Sequence, residues 1–82
     1  MITIQLSFDS SFKEKIKKNK NNKDFIVQLY KSESLREVII RFIPKKELSH
    51  IGLIIVNKKF KNLDYNVVDG DKINILPLLF GG

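Results

Sequence analysis

Val68-Asp69-Gly70-Asp71-Lys72-Ile73-Asn74-Ile75-Leu76-Pro77-Leu78-Leu79-Phe80-Gly81-Gly82 is the stretch that decides the reading of this 82-residue chain. Asp-Gly-Asp is a sharp turn, the glycine free of Cβ and the aspartates suited to turn geometry. Lys72, Ile73, Asn74 and Ile75 then alternate polar and apolar, the period of a strand with one buried face. The alternation breaks at Leu76, because Leu76, Leu78, Leu79 and Phe80 are all apolar. A one-sided sheet cannot bury both faces of its last strand. Part of this run is therefore expected to be exposed as an apolar patch at the root of a tail, and such patches on small domains mark binding sites. At ~7% glycine usage, two final glycines arise by chance in roughly one chain in 200. A segment without side chains can also thread a slot closed to other residues.

Upstream, Ile2, Ile4, Leu6 and Phe8 alternate with Thr3, Gln5 and Ser7 as a first strand. Phe12 and Ile16, four apart, suit a short helical turn with Ser10 or Ser11 as its N-cap. Residues 25–30 (Phe-Ile-Val-Gln-Leu-Tyr) read as a second strand, hairpin-paired with the first. Ser34-Leu35-Arg36-Glu37 fits a capping box, and Leu35, Val38, Ile39 and Phe42 form the apolar stripe of a helix that Pro44 stops. Residues 45–52 connect, with one helical turn at 46–48. Leu53-Ile54-Ile55-Val56 has the continuous apolar character of a central strand. Asn57-Lys58 suits a tight turn, and Lys59-Phe60-Lys61 a short edge strand guarded by its lysines. The expected fold is α+β, a mixed sheet with one main helix in the order ββαβββ. It is a single domain over residues 1–82, with a tail from about residue 77 and no internal repeat.

With 43% hydrophobic residues the chain is a folding sequence. It has no cysteine, which removes disulfides, thiolate chemistry and cysteine zinc sites. No apolar stretch reaches the ~20 residues needed to span a bilayer. The start runs straight into a strand pattern, so no signal peptide is expected. A cytoplasmic protein without membrane contact is expected. The net charge of +6 is local: Lys13, Lys15, Lys17, Lys18, Lys20 and Lys23 against Glu14 give residues 13–23 a net +5, and the rest of the chain is nearly neutral. This basic loop, residues 13–24, lacks arginine forks and stacking platforms, so it reads as a solvated insertion and not a nucleic-acid site. His50 is the only histidine, so no histidine/cysteine metal site is expected. Asp69 and Asp71 read as turn carboxylates in solvent. Glu33, Glu37 and Glu47 show no acid–base pairing pattern, and Ser10, Ser11, Ser32 and Ser34 read as caps. No side chain stands out as catalytic.

The hairpin, the single helix, Val56-Asn57 before a turn, Asp69-Gly70-Asp71, the apolar strand, Pro77 and Gly81-Gly82 together resemble the ubiquitin-like β-grasp sulfur carriers of the MoaD/ThiS superfamily, over essentially the whole chain. The helical turn at Phe12 and Ile16 and the position of Pro77 resemble the molybdopterin synthase small-subunit branch. Leu78 stands where that branch often has a second proline. The resemblance implies a β-grasp fold and a carrier cycle. A ubiquitin-activating-like adenylyltransferase would use ATP and Mg²⁺ to form an acyl-adenylate on Gly82, and a persulfide would displace AMP to leave a thiocarboxylate. Gly81 and Gly82 would be the thread, and Leu76, Pro77, Leu78, Leu79 and Phe80 the partner-docking surface. The carrier would bind no cofactor of its own, would be monomeric when free, and would deliver sulfur to an acceptor such as a molybdopterin synthase large subunit. Thiamine thiazole synthesis, tRNA thiolation and archaeal-type protein modification through an isopeptide bond from Gly82 stay open as alternatives.

Overall fold

Five strands form one mixed sheet in the order β2-β1-β5-β3-β4, in a computed structural model that describes residues 1–17 and 22–78. Lys18, Asn19, Lys20 and Asn21 of the basic loop lie outside the described residues, as do Leu79, Phe80, Gly81 and Gly82. The strands are β1 (Ile2–Phe8), β2 (Asp24–Leu29), β3 (Ile51–Val56), β4 (Lys59–Lys61) and β5 (Lys72–Pro77), with one α-helix, α1 (Leu35–Ile39). Two 3-10 helices, Ser10–Lys15 and Lys45–His50, precede β2 and β3 respectively. β1 runs antiparallel to β2 and parallel to β5, and β3 runs antiparallel to both β5 and β4. The expected order of two strands, a helix and three strands is realised.

The alternation read from the sequence sets the two faces. Ile4, Leu6 and Phe8 of β1, Val27 and Leu29 of β2, Ile54 and Val56 of β3, and Ile73 and Ile75 of β5 are buried on one side, against Leu35, Val38 and Ile39 of α1. Each such side chain contributes roughly 1.5–3 kcal/mol when fully buried, so this single face carries the fold. Phe12 docks the first 3-10 helix by stacking 6.0 Å from Phe8, whose ring also lies 6.1 Å from Phe42.

The Val68–Asp71 turn docks on β1 and sets the register of β5. Gly70 N–H donates to Thr3 O at 2.8 Å, Thr3 N–H to an Asp69 carboxylate oxygen at 2.7 Å, and Gln5 N–H to Asp71 O at 2.9 Å. Gly70 takes φ +89°, where a Cβ is strained. Asn57 and Lys58 both have positive φ, as a two-residue hairpin turn requires.

Several expectations need correction. The first 3-10 helix is capped by Asp9, whose carboxylate accepts from Ser11 N–H, and not by Ser10 or Ser11; a carboxylate is the stronger acceptor for orphan amides. The capping box at Ser34 and Glu37 is present, but α1 ends at Ile39. Arg41 and Phe42 then donate to carbonyls three residues back, a tightened turn that still buries Phe42 ahead of Pro44. β2 spans 24–29 and excludes Tyr30, which is exposed. The helical turn before β3 covers 45–50 and β3 begins at Ile51. β3 is an interior strand as expected, paired on both sides, and the middle position of the sheet belongs to β5. Parallel pairing of β1 with β5 accounts for this, a long-range arrangement that local hydrophobicity does not report.

Candidate functional site

β5 leaves the sheet unevenly. Its parallel partner β1 ends at the Phe8–Ile75 pair, where Asp9 N–H donates to Ile75 O at 2.9 Å. Beyond it β5 is held only by β3, through Leu53–Leu76 and Ile51–Pro77 and a final bond from Leu78 N–H to His50 O at 2.7 Å. A register shift between Ile51 and Leu53 brings the two backbones together at Gly52. A Cβ on Gly52 would stand 2.5 Å from Pro77 O and 2.7 Å from Leu78 Cα, so this crossing requires glycine.

The face of the sheet away from α1 is apolar beside this exit. Register places Leu76 opposite Leu53, and Ile55 opposite both Asn74 and Phe60. Leu53 and Phe60 are exposed, Phe60 at 71%, while Ile55 and Leu76 are half-buried. Leu78 is exposed at 43% and Pro77 is half-buried. The expected apolar patch at the tail root is thus present at Leu76 and Leu78, and it extends over β3 and β4. Leu53, Ile55 and Phe60 escaped the sequence reading. Their signal was the same period of two, since Leu53 and Ile55 share one face of β3 and Phe60 sits alone between two lysines. Lys72 borders the patch on its own face, whereas Lys59 and Lys61, opposite Val56 and Ile54, lie on the other face of the edge strand; all three are exposed. The expected site residues Leu79, Phe80, Gly81 and Gly82 lie outside the described residues.

Two buried carboxylates flank this region, and neither was expected to be buried. Asp71 accepts from Asn57 Nδ2 at 2.7 Å, from Tyr65 Oη at 2.9 Å and from Val68 N–H at 2.9 Å. Asn57 Oδ1 in turn accepts from Lys72 N–H, so the network ties the β3–β4 turn to the start of β5. Burial, with the Asp71 carboxylate beside it, holds the Tyr65 hydroxyl above its ordinary value. The reading of Asp71 as a solvent carboxylate is corrected: three donors compensate its desolvation.

Glu47 is the second. It does have partners: His50 Nδ1 at 3.0 Å and Lys15 Nζ at 3.4 Å. Burial alone would raise its carboxyl, but the His50 hydrogen bond and the Lys15 charge outweigh this and hold it below its ordinary value. Among the described residues no group of three or more histidine, cysteine, aspartate or glutamate side chains is arranged to hold a metal ion, and no helix is long and apolar enough to cross a membrane.

A mixed five-stranded sheet grasping one helix, with the last strand at its centre, is the ubiquitin-like β-grasp fold. Among solved structures, the chain is similar to a putative molybdopterin converting factor, subunit 1, from Pyrococcus furiosus, with TM-score 0.70 and 13% identity over 96% of this chain and 100% of that one. It is also similar to SAMP1 from Haloferax volcanii, with TM-score 0.68 and 13% identity over 98% and 99% of the two chains. No protein-family model and no curated protein matches the sequence. At this identity the likeness is one of fold.

Proposed function

We propose that this protein is a ubiquitin-like sulfur carrier that works through the carboxylate of Gly82. The observation that supports it best is the exit of β5: the central strand runs past an exposed apolar strip, Leu53, Ile55, Phe60 and Leu76, and leads into Gly81-Gly82. The strip offers a docking surface beside the root, and the two glycines a thread for a narrow active site. In this reading an adenylyltransferase joins the Gly82 carboxylate to AMP from ATP·Mg²⁺, releasing pyrophosphate. A carboxylate resists nucleophiles, whereas the mixed anhydride carries a good leaving group. The terminal sulfur of a persulfide attacks the acyl carbon and AMP departs. Cleavage of the S–S bond by a second thiol leaves the thiocarboxylate. The likeness in fold to a putative molybdopterin converting factor subunit favours a molybdopterin synthase large subunit as the acceptor.

Incubation with a ubiquitin-activating-like enzyme, ATP, Mg²⁺ and a persulfide donor, followed by intact mass, tests the reading. Exchange of one oxygen for sulfur at the C-terminus is the expected result. Transfer of Gly82 to lysines of other proteins instead would replace the carrier with a protein modifier. The absence of both products would refute activation at Gly82.

A further inference from the structure

We propose that Glu47, His50 and Lys15 form a clamp that fixes the direction in which the chain leaves the sheet after Pro77, making Glu47 a positioning residue for delivery of Gly82. The delivery half of this statement rests on the carrier reading above; the clamp does not.

Among the described residues only two charged side chains are buried, Glu47 and Asp71. The burial of Asp71 is explained by the turn it organises. Glu47 sits in a six-residue 3-10 helix whose neighbours Lys45, Lys46 and Ser49 are exposed. A glutamate there could stay in water at no cost, and a buried carboxylate is retained only where partners compensate its desolvation. Glu47 has such partners from two elements. His50 closes the 3-10 turn at i+3, and a carboxylate offers acceptors only, so Nδ1 carries the proton of that bond. Lys15 reaches across from the end of the first 3-10 helix. Glu47 thereby joins two short helices that share no strand pairing.

The junction stands at the tail root. A cleft of about 160 Å³ is walled by Phe12, Lys15, Glu47, His50, Pro77 and Leu78. The residue whose ring Glu47 holds is the same residue whose carbonyl accepts from Leu78 N–H at 2.7 Å. Gly52 closes the other side, its backbone against Pro77 O and Leu78 Cα. Past Ile75, where β1 no longer contributes, the root is held between Gly52 and the turn that Glu47 stabilises. Gly82 lies four residues beyond Leu78 in the sequence, a reach of at most ~14 Å from the root. Ordering each backbone residue costs about 1–2 kcal/mol. A root already set in direction therefore lowers the cost of entering a partner.

The test compares Glu47→Ala and Glu47→Gln with the wild type by amide hydrogen exchange and by adenylation kinetics with an activating enzyme. Gln5 N–H, bonded to Asp71 O in the sheet, reports global opening; Leu78 N–H reports the clamp. Glu47→Ala is expected to speed Leu78 exchange at least tenfold relative to Gln5. It should raise KM for adenylation several-fold with kcat little changed. Glu47→Gln keeps an acceptor for His50 and should recover part of both effects. Should Glu47→Ala not fold, His50→Ala removes an exposed ring, retains the backbone carbonyl, and carries the same expectation. Leu78 exchange that moves only in step with Gln5 would overturn the clamp, and an unchanged KM with faster Leu78 exchange would overturn the delivery role. A wild type that no activating enzyme adenylates would refute the carrier reading and delivery with it, while Leu78 exchange still decides the clamp.

Discussion

Gly52→Ala is the substitution whose consequence follows most directly from the structure. The added methyl would stand 2.5 Å from Pro77 O, 2.7 Å from Leu78 Cα and 2.9 Å from Pro77 C, against ordinary contacts of 3.4–4 Å. All three atoms belong to backbone, so no side chain can rotate away, and β5 or β3 must retreat by close to 1 Å. Overpacking of this kind costs about 1–3 kcal/mol. Replacing glycine also reduces the freedom of the unfolded chain, which returns about 0.4–1 kcal/mol. The net loss spans about 0–2.6 kcal/mol and centres on ~1.3 kcal/mol, which for a domain of this size lowers Tm by roughly 5–10 °C. Thermal unfolding followed by circular dichroism measures it, and Leu78 amide exchange should accelerate beyond what the lost stability accounts for. Gly70→Ala is the control: no atom lies within 4 Å of its added methyl, yet φ +89° strains any L side chain. It should cost about 1–2 kcal/mol without a selective effect at Leu78. A Gly52→Ala protein with raised Tm, or with both Tm and Leu78 exchange unchanged, would refute the close crossing of strand and tail root.

Three further outcomes are expected. Asp71→Ala leaves Asn57 Nδ2, Tyr65 Oη and Val68 N–H without their acceptor; at about 0.5–1.5 kcal/mol net for each of these part-buried bonds, urea unfolding should show a loss of roughly 1.5–4.5 kcal/mol, and a loss near zero would mean water replaces the carboxylate freely. The acid side of the stability profile should fall, because Asp9, Glu37 and Glu47 are all held below their ordinary values, the first two by backbone N–H bonds and the third by His50 and Lys15 against the opposing effect of burial. Their contribution is complete above the ordinary values of 3.8 and 4.5 and is lost as pH falls through the lowered ones, so the urea midpoint should hold near neutrality and drop below about pH 4.5; a midpoint that rises on acidification would contradict this. Phe60→Glu, at an exposed position, should change stability by no more than about 0.5 kcal/mol while weakening capture by an activating enzyme at least tenfold, and unchanged capture would remove the outer face from the docking surface.

The sequence was most legible where one short period controls both burial and structure. Ile2 to Phe8 and Lys72 to Ile75 alternate, so strand identity and the buried face come from the same residues. The capping box at Ser34 and Glu37 was equally local. Central placement of β5 was hidden, because parallel pairing with β1 joins segments more than sixty residues apart. The two buried carboxylates were hidden for a related reason. Asp71 is compensated by Asn57 and Tyr65, and Glu47 by Lys15 from another element, so neither position differs in local pattern from a solvated one. Glu47 and His50 at i and i+3 were the one local trace.

The uneven end of the sheet divides β5 into a part that supports the core and a part that leads out of it. Up to Ile75 the strand is hydrogen-bonded on both sides and its buried side chains face α1, so a substitution there acts on global stability. From Leu76 onward β3 is its only strand partner, joined by the Leu78–His50 bond, and the side chains of residues 76–78 are partly or fully exposed. A domain with a thin stability margin gains little from ordering these last residues for the fold's sake. Yet the chain maintains glycine at 52, a buried carboxylate at 47 and the Leu78–His50 bond in this one place. Under the proposed carrier reading, those features set the direction in which the chain leaves the core. Variants at Gly52 and Glu47 should therefore disturb exit geometry beyond what any lost stability accounts for, whereas variants at Ile73 or Ile75 should change both in proportion.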